Sequence, residues 1–236
     1  MLSPVFGQEI AVLSYNIRYN SSGDGLDLWD LRKTELIAQI KEIDPISFGV
    51  QEATLTQMKD LEAGLPHYDY IGVGRDDGVT KGEFSAVFYK RSELRVLQED
   101  TFWLSETPEK VSVGWDAALP RICTYAQFEH LSSKQSFWHF NTHFDHMGKK
   151  ARAESAKLIV SKIDALVSDG EAIILSGDFN AEPHEEPIGV LKNSFEDPAN
   201  KIELQGPVGT FSGFELDAKL DRRIDYIFTK GVNVVG

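Results

Sequence analysis

The stretch that decides the fold of this chain is Ala172-Ile173-Ile174-Leu175-Ser176-Gly177-Asp178-Phe179-Asn180. Its four leading apolar residues are typical of a buried strand, and the polar pair Asp178 and Asn180 comes where that strand gives way to a loop. A carboxylate and an amide at the mouth of a sheet suit a hard divalent cation and an activated water. The short motif alone is a weak signal, so its meaning depends on the rest of the chain.

The composition is that of an ordinary globular protein with enough apolar material for a sizeable core. The chain has 236 residues, of which 42% are hydrophobic and 26% are charged. It contains no internal repeat, low-complexity tract or long Gly/Ser/Pro linker, so we expect a single domain over residues 1–236. The lone cysteine, Cys123, excludes an internal disulfide and lies in strand-like sequence, where an inert buried thiol is expected.

The charge is strongly acidic, because 24 basic against 37 acidic residues give a net charge of −13. That is the opposite of the basic surface that holds long duplex DNA by its phosphates, although an acidic surface by itself also fits any soluble protein. No apolar run approaches the length of a membrane span. Residues 1–7 are too short for a signal peptide, so we expect a soluble monomer in the cytoplasm, or one exported after removal of a leader.

The order of predicted elements indicates an α/β fold with mixed sheets. A strand, a helix over 29–43, a second strand and a second helix come first. A β-rich region over 68–129 follows, and the chain then returns to alternating strands and helices, with an amphipathic helix over 152–167. Such an order favours mixed sheets covered by helices over a simple doubly wound parallel sheet.

Four of the predicted strands end in polar residues that can bind metal or transfer protons. These are Asn16, Gln51-Glu52, Asn141-Thr142-His143 and the pair Asp178 and Asn180. Strand ends at one edge of an α/β sheet are where ligand sites gather. We therefore expect these side chains to form one site.

Taken together, these blocks resemble the endonuclease/exonuclease/phosphatase superfamily, the group that includes deoxyribonuclease I-like nucleases. The matching segments occur in the family's order and are Ser14-Tyr15-Asn16-Ile17-Arg18, Gln51-Glu52, Asn141-Thr142-His143, Ser176-Gly177-Asp178-Phe179-Asn180 and Arg223-Ile224-Asp225-Tyr226-Ile227. Further segments, Lys81 to Phe84, Trp103 to Pro108 and Gly114 to Arg121, resemble a mainly bacterial branch. The resemblance implies a four-layer α/β sandwich, in which two mixed sheets pack face to face between helices.

The resemblance also implies a metal centre. Glu52 would be the main metal-bound carboxylate and Asn16 would lie close by, with Mg²⁺ or Mn²⁺ as the cofactor. Glu52 lies just before a predicted helix at Thr54, so a role as the helix N-cap is the alternative for this residue.

For catalysis, the resemblance implies that His143 contacts the scissile phosphate and assists the leaving oxygen, with Glu83 as its acidic partner. Asp178 would orient or deprotonate the attacking water, and Asn180 would bind a phosphate oxygen. Asp225 would support a further histidine.

Two other segments keep alternatives open. Arg121 matches a phosphate-binding arginine of some relatives, but a surface salt bridge is a second interpretation. The loop Arg75-Asp76-Asp77-Gly78 could face substrate, but Asp-Asp-Gly is also ordinary turn chemistry.

One expected block does not occur in this sequence. The resemblance implies a closing strand with Ser-Asp-His, whose histidine Asp225 would support, yet no Asp-His pair follows Asp225 in these residues. We expect either a chain cut short at its C-terminus or the loss of part of the catalytic set. In both cases we expect metal binding with impaired turnover.

The sequence thus predicts a metal-dependent phosphoesterase that acts on a phosphodiester or a phosphomonoester by in-line attack of water. Its substrate would be a short nucleic acid or a small or lipid phosphate. The alternative is a non-catalytic metal- or phosphate-binding protein that keeps the fold.

Overall fold

The computed structural model describes residues 9–213 and 217–235. Residues 1–7, which we discussed as too short for a signal peptide, lie outside this part of the chain. The described residues form nine strands and four α-helices. The strands are β1 (Val12–Asn16), β2 (Ser47–Gln51), β3 (Tyr68–Ile71), β4 (Val87–Lys90), β5 (Leu94–Trp103), β6 (Ile122–His130), β7 (Ser136–His143), β8 (Ala172–Asp178) and β9 (Asp225–Lys230). The helices are α1 (Trp29–Ile43), α2 (Leu55–Gly64), α3 (Lys149–Leu166) and α4 (Glu186–Lys192).

The strands form two mixed sheets. The first sheet has the order β1-β2-β4-β3, and the second has the order β5-β6-β7-β8-β9. Each contains one parallel pair, β1 with β2 and β7 with β8, among antiparallel neighbours. The predicted mixed-sheet α/β sandwich is therefore confirmed.

Apolar layers hold the sheets and helices together. On the outer side of the first sheet, Phe48 stacks on Phe88 with ring centroids 4.7 Å apart, in a cluster that includes Trp29 and Leu36 of α1. The second sheet buries a separate cluster against α3 and α4. Cys123 belongs to that cluster and is buried, as the sequence predicted.

Between the sheets, the contact is partly polar. Asn141 on β7 donates from Nδ2 to the carbonyl oxygens of Val50 and Ala86, at 2.9 Å each. Gln51 Nε2 donates to Asn141 Oδ1 at 2.7 Å. These bonds tie the end of β2 to the end of β7, which brings the polar strand ends of both sheets together.

Two strands extend further than the sequence predicted. Hydrogen bonding continues through His143 in β7 and through Asp178 in β8, so both residues belong to strands and not to the loops that follow. Within the described residues, no helix is long and apolar enough to cross a membrane. The absence of a Ser-Asp-His strand remains a prediction.

Candidate active site

The predicted site residues meet where the two sheets face each other. Asn16 ends β1, and its Nδ2 atom donates to Glu52 Oε1 at 3.1 Å and to Asp178 Oδ2 at 2.9 Å. Glu52 directly follows β2 of the first sheet, and Asp178 is the last residue of β8 in the second sheet. The amide of Asn16 therefore joins the two halves of the site.

Glu52 is held in an unusual backbone conformation. Its φ of 62° lies in the left-handed region, which is strained for a residue with a side chain. Its Oε2 atom accepts the backbone N–H of Tyr19 at 3.0 Å. The helix α2 is capped by Thr54 in a capping box with Gln57, so the alternative role of Glu52 as an N-cap is wrong. Its carboxylate is directed instead toward Asn16.

His143 is buried at the end of β7, with 6% of its surface exposed. Asn180 Nδ2 donates to the carbonyl of Phe144 at 3.0 Å and lies 3.0 Å from His143 Nε2. Since the amide nitrogen is a donor, Nε2 accepts, and we assign the ring proton to Nδ1. Burial lowers the pKa of His143 well below its usual value, and the charges of Arg121 and Arg75 lower it further, so the ring is neutral.

Glu83 does not make the hydrogen bond to His143 that the resemblance implies. Its Oε2 atom lies 3.8 Å from His143 Nδ1, and that nitrogen has no hydrogen-bond partner among the described residues. Glu83 is bound instead by Arg75, whose two terminal nitrogens lie 2.6 and 3.1 Å from its oxygens. Burial raises the pKa of Glu83, and Arg75 partly opposes this shift.

Asp178 and Asp225 are opposite each other on β8 and β9, and His143 is opposite Asp178 on β7. Burial raises the pKa of Asp178, and the charge of Glu52 raises it further. Burial also raises the pKa of Asp225, and the charge of Asp178 adds to the shift. Three carboxyl groups, those of Glu52, Asp178 and Asp225, thus share a confined region, which favours protons or a cation there. Arg18 Nη1 lies 3.9 Å from Glu52 Oε2 and offsets part of this negative charge.

Asn180 also belongs to this arrangement through its backbone. Its N–H donates to Asp178 Oδ1 at 2.8 Å, and its φ of 46° is a left-handed conformation that asparagine tolerates. The turn after β8 therefore directs the backbone N–H of Asn180 to Asp178 and its side-chain amide to His143.

A divalent cation fits the oxygen donors present. Among the described residues, no group of three or more His, Cys, Asp or Glu residues is placed to hold a metal ion by itself. Mg²⁺ is usually held by one or two carboxylates and completes its shell with water and phosphate. The carboxylate of Glu52, next to Asn16 and in a carboxylate-rich region, meets that requirement.

Arg121 lies in the interior, so the interpretation as a surface salt bridge is wrong. Its Nε atom lies 3.3 Å from Asp145 Oδ2, and the two side chains are 4% and 1% exposed. A second guanidinium nitrogen lies 3.0 Å from His146 Nδ1, and the third, Nη1, is buried without a hydrogen-bond partner in the described structure. Arg121 thus supplies a fixed positive charge near His143.

Arg75 is the residue whose role the sequence did not reveal. Its loop looked like a plain turn or a substrate-facing segment, yet the Arg75 side chain is buried and forms an ion pair with Glu83. The signal was the neighbouring glycines, because a side chain at Gly74 or Gly82 would collide with the loop itself. Those glycines indicate a compact loop that can carry a charged residue inward.

The two-sheet fold is that of the endonuclease/exonuclease/phosphatase class, and comparison with known proteins agrees. A family model described as the Endonuclease/Exonuclease/phosphatase family matches residues 13–236. The chain belongs to this family, whose members are hydrolases acting on phosphate esters.

Among solved structures, a mannosyl-6-phosphatase from Bacteroides thetaiotaomicron is similar over 94% of this chain and 85% of its own, with 40% identity and a TM-score of 0.90. An uncharacterised protein of Acanthamoeba polyphaga mimivirus is 32% identical over 65% of this chain and 60% of its own length. Nocturnin from Drosophila melanogaster is 24% identical over 78% of this chain, which covers 30% of that protein. The chain therefore spans only part of these last two proteins.

Proposed function

We propose that this protein is a divalent-metal-dependent phosphoesterase in which water attacks phosphorus in line. The observation that carries the proposal is the junction of the two sheets at Asn16, whose amide binds both Glu52 and Asp178. At this junction the carboxylates of Glu52 and Asp178 lie close together, and β7 adds the neutral ring of His143 beside them. These are the groups that phosphoester hydrolysis requires.

The attacking water would be oriented by Asp178. Its raised pKa follows from burial and from the charge of Glu52, so this carboxylate can accept a proton near neutral pH. Asn180 would donate to a phosphate oxygen with an amide N–H that now faces His143 Nε2. Asp225, opposite Asp178, would keep the local charge negative and the proton shared within the pair.

His143 and Arg121 would act on the phosphate side. The negative charge of a bound phosphate would raise the pKa of His143, so that Nε2 takes up a proton and donates it to the phosphate or the leaving oxygen in place of its contact with Asn180. Glu83 would compensate the positive charge on the ring at Nδ1. Arg121 would contribute electrostatic stabilisation from its fixed interior position.

Glu52 would hold Mg²⁺ or Mn²⁺ through its carboxylate. Asn16 would contribute Oδ1 only after its side chain turns, because Nδ2 now faces the carboxylates and Oδ1 accepts the N–H of Arg18. The bound cation would polarise the phosphate and offset charge that develops on it.

A phosphorylated sugar is the first substrate to consider. The similarity to a mannosyl-6-phosphatase, at 40% identity over 94% of this chain, supports a small phosphomonoester. The net charge of −13 is unfavourable for long duplex DNA, which agrees with this choice. Short nucleic acids and lipid phosphates are the competing substrates that the test must include.

The test is a hydrolysis screen of the protein with Mg²⁺ or Mn²⁺ in ¹⁸O-labelled water. The panel contains mannose 6-phosphate, glucose 6-phosphate, inositol phosphates, bis-p-nitrophenyl phosphate and single- and double-stranded oligonucleotides. We expect metal-dependent release of phosphate from a sugar phosphate above the rate in chelator, with the label in the phosphate. The turnover should be low, because no Asp-His pair follows Asp225 in these residues. If no ester is hydrolysed above the rate in chelator, the protein is not an esterase, and the binding-protein alternative replaces this proposal.

A further inference from the structure

A polar cavity of about 420 Å³, open to solvent and lined in part by exposed residues, lies beside the candidate active site. Three segments form it: the chain after β1, the start of α2, and the loop 75–83 before β4. Its polar lining side chains include those of Tyr19, Thr56, Arg75, Asp76, Thr80 and Glu83. The volume lies in the range of about 300–1,000 Å³ that small-molecule pockets occupy.

The cavity and the candidate active site share residues. Glu83 lines the cavity, and its Oε2 atom is 3.8 Å from His143 Nδ1. Tyr19 lines the cavity as well, and its N–H binds the Glu52 carboxylate at 3.0 Å. A molecule in the cavity would therefore lie next to a phosphate held at His143 and Glu52.

One wall of the cavity is built before any ligand arrives. In the loop, Asp77 Oδ1 accepts the N–H groups of Val79, Thr80 and Lys81 at 2.8, 2.8 and 2.9 Å. The indole of Trp103 donates to the Arg75 carbonyl at 2.8 Å, which anchors the loop to β5. A preformed wall loses little conformational entropy when a ligand binds.

The lining favours a ligand with many hydroxyl groups. Within the described residues, the hydroxyls of Tyr19, Thr56 and Thr80 make no hydrogen bond to the protein. Each of these groups can both donate and accept, as the hydroxyls of a sugar do.

The charges of the lining argue against a second anionic group. Arg75 is engaged by Glu83, and Asp76 Oδ1 lies 3.8 Å from Arg75 Nε, so two carboxylates surround one guanidinium. A second phosphate or a carboxylate would meet net negative charge. The carboxylate of Asp76 can instead accept hydrogen bonds from neutral hydroxyls.

We propose that this cavity is the subsite for the leaving group of the substrate, and that it binds a polyhydroxylated alcohol such as a hexose. The inference rests on the proposed phosphoesterase function and adds the residues that select the alcohol. Thr56, Thr80 and Asp76 are the specificity-determining side chains, because they face the cavity and lie outside the phosphate-binding groups.

The test compares a substrate that fills the cavity with one that offers no hydroxyls to it. The kcat/KM values for mannose 6-phosphate and for p-nitrophenyl phosphate are measured with the wild type, with Thr56→Val/Thr80→Val and with Asp76→Asn. In both variants we expect the ratio of kcat/KM for mannose 6-phosphate to kcat/KM for p-nitrophenyl phosphate to fall about tenfold or more, because only the sugar loses hydrogen bonds. Thr34→Val on α1 and Asp164→Asn on α3, both exposed, are the matched controls and should keep the wild-type ratio.

Equal losses for both substrates, or an unchanged ratio, would overturn the subsite while leaving the esterase function intact. If the wild type hydrolyses neither substrate, calorimetric binding of mannose 6-phosphate decides the question. Binding that weakens in Thr56→Val/Thr80→Val supports the subsite even then. Binding that is absent in the wild type, or equal in the variant, excludes it.

Discussion

His143 shows how a single residue acquires its chemistry from its position. His143 is the last residue of β7, and this position buries its ring. Burial lowers the pKa of the ring, which is therefore neutral, and the amide of Asn180 determines that Nε2 is the nitrogen that accepts a hydrogen bond. The family blocks predicted Asn16, Glu52, His143, Asp178 and Asn180 as site residues, and the structure brings these side chains into contact. Their roles stay a prediction. The pairing of Glu83 with Arg75 was not predictable, because it depends on the path of the loop.

Removal of the His143 ring should impair catalysis without unfolding the protein. We expect His143→Ala to lower kcat by about 10²–10⁴-fold, the usual contribution of a proton-transferring or phosphate-contacting histidine. Exposed His67→Ala is the matched control and should keep the wild-type kcat. Steady-state kinetics with circular dichroism checks this, and full activity of a folded His143→Ala protein would remove His143 from the site.

His139 gives a second prediction at the residue scale, this time for stability. It is buried between the sheets, with Nδ1 2.7 Å from Ser47 Oγ and Nε2 2.9 Å from Ser176 Oγ. Burial lowers the pKa of His139 to about 3, from an ordinary value of 6.5. At a pH between these two values, His139 is therefore protonated in the unfolded chain and neutral in the folded protein.

Above about pH 6.5, His139 does not reduce the free energy of unfolding. As the pH falls from about 6.5 toward 3, protonation of His139 in the unfolded chain lowers the free energy of unfolding. The loss approaches about 1.4 kcal/mol per pH unit for one histidine. In His139→Gln, the free energy of unfolding should depend less steeply on pH over this window, by about one proton. Urea unfolding at several pH values measures the slope, and an identical slope in wild type and variant would contradict the assignment.

At the scale of elements, the contact between β2 and the second sheet is so close that only glycine fits at position 49. A Cβ atom on Gly49 would lie 2.3 Å from Asn141 Oδ1 and 2.6 Å from Ser176 Oγ. The sequence predicted the strands themselves from their apolar runs. It did not predict this contact, because a glycine inside a strand does not tell which strand lies across from it.

Gly49→Ala should push the sheets apart and destabilise the protein by about 1–3 kcal/mol, the usual cost of overpacking. Gly189→Ala is the matched control, because α4 leaves open space within 4 Å of the new methyl group. That change should be neutral or stabilising by about 0.5–1 kcal/mol. Urea denaturation of both variants measures the difference, and equal stabilities would show that the sheets are not held at this distance.

At the scale of the whole molecule, the order of elements was enough to predict mixed sheets flanked by helices. The order of strands in the first sheet was not predictable from local patterns, since β4 lies between β2 and β3, while β1 pairs in parallel with β2 across α1. That arrangement matters for function, because it places Asn16 and Glu52 at one end of the first sheet. Packing of the two sheets then supplies His143 and Asp178 from the other side.

In the proposed function, Glu52 holds a catalytic cation at this junction. The most direct measurement is the initial rate of phosphate release from mannose 6-phosphate as Mg²⁺ is removed and restored, in wild type and Glu52→Gln. We expect that chelation abolishes release, that Mg²⁺ restores it, and that Glu52→Gln needs about tenfold or more Mg²⁺ for half-maximal rate. Release that persists in chelator, or a Glu52→Gln variant with the wild-type Mg²⁺ dependence, would contradict it.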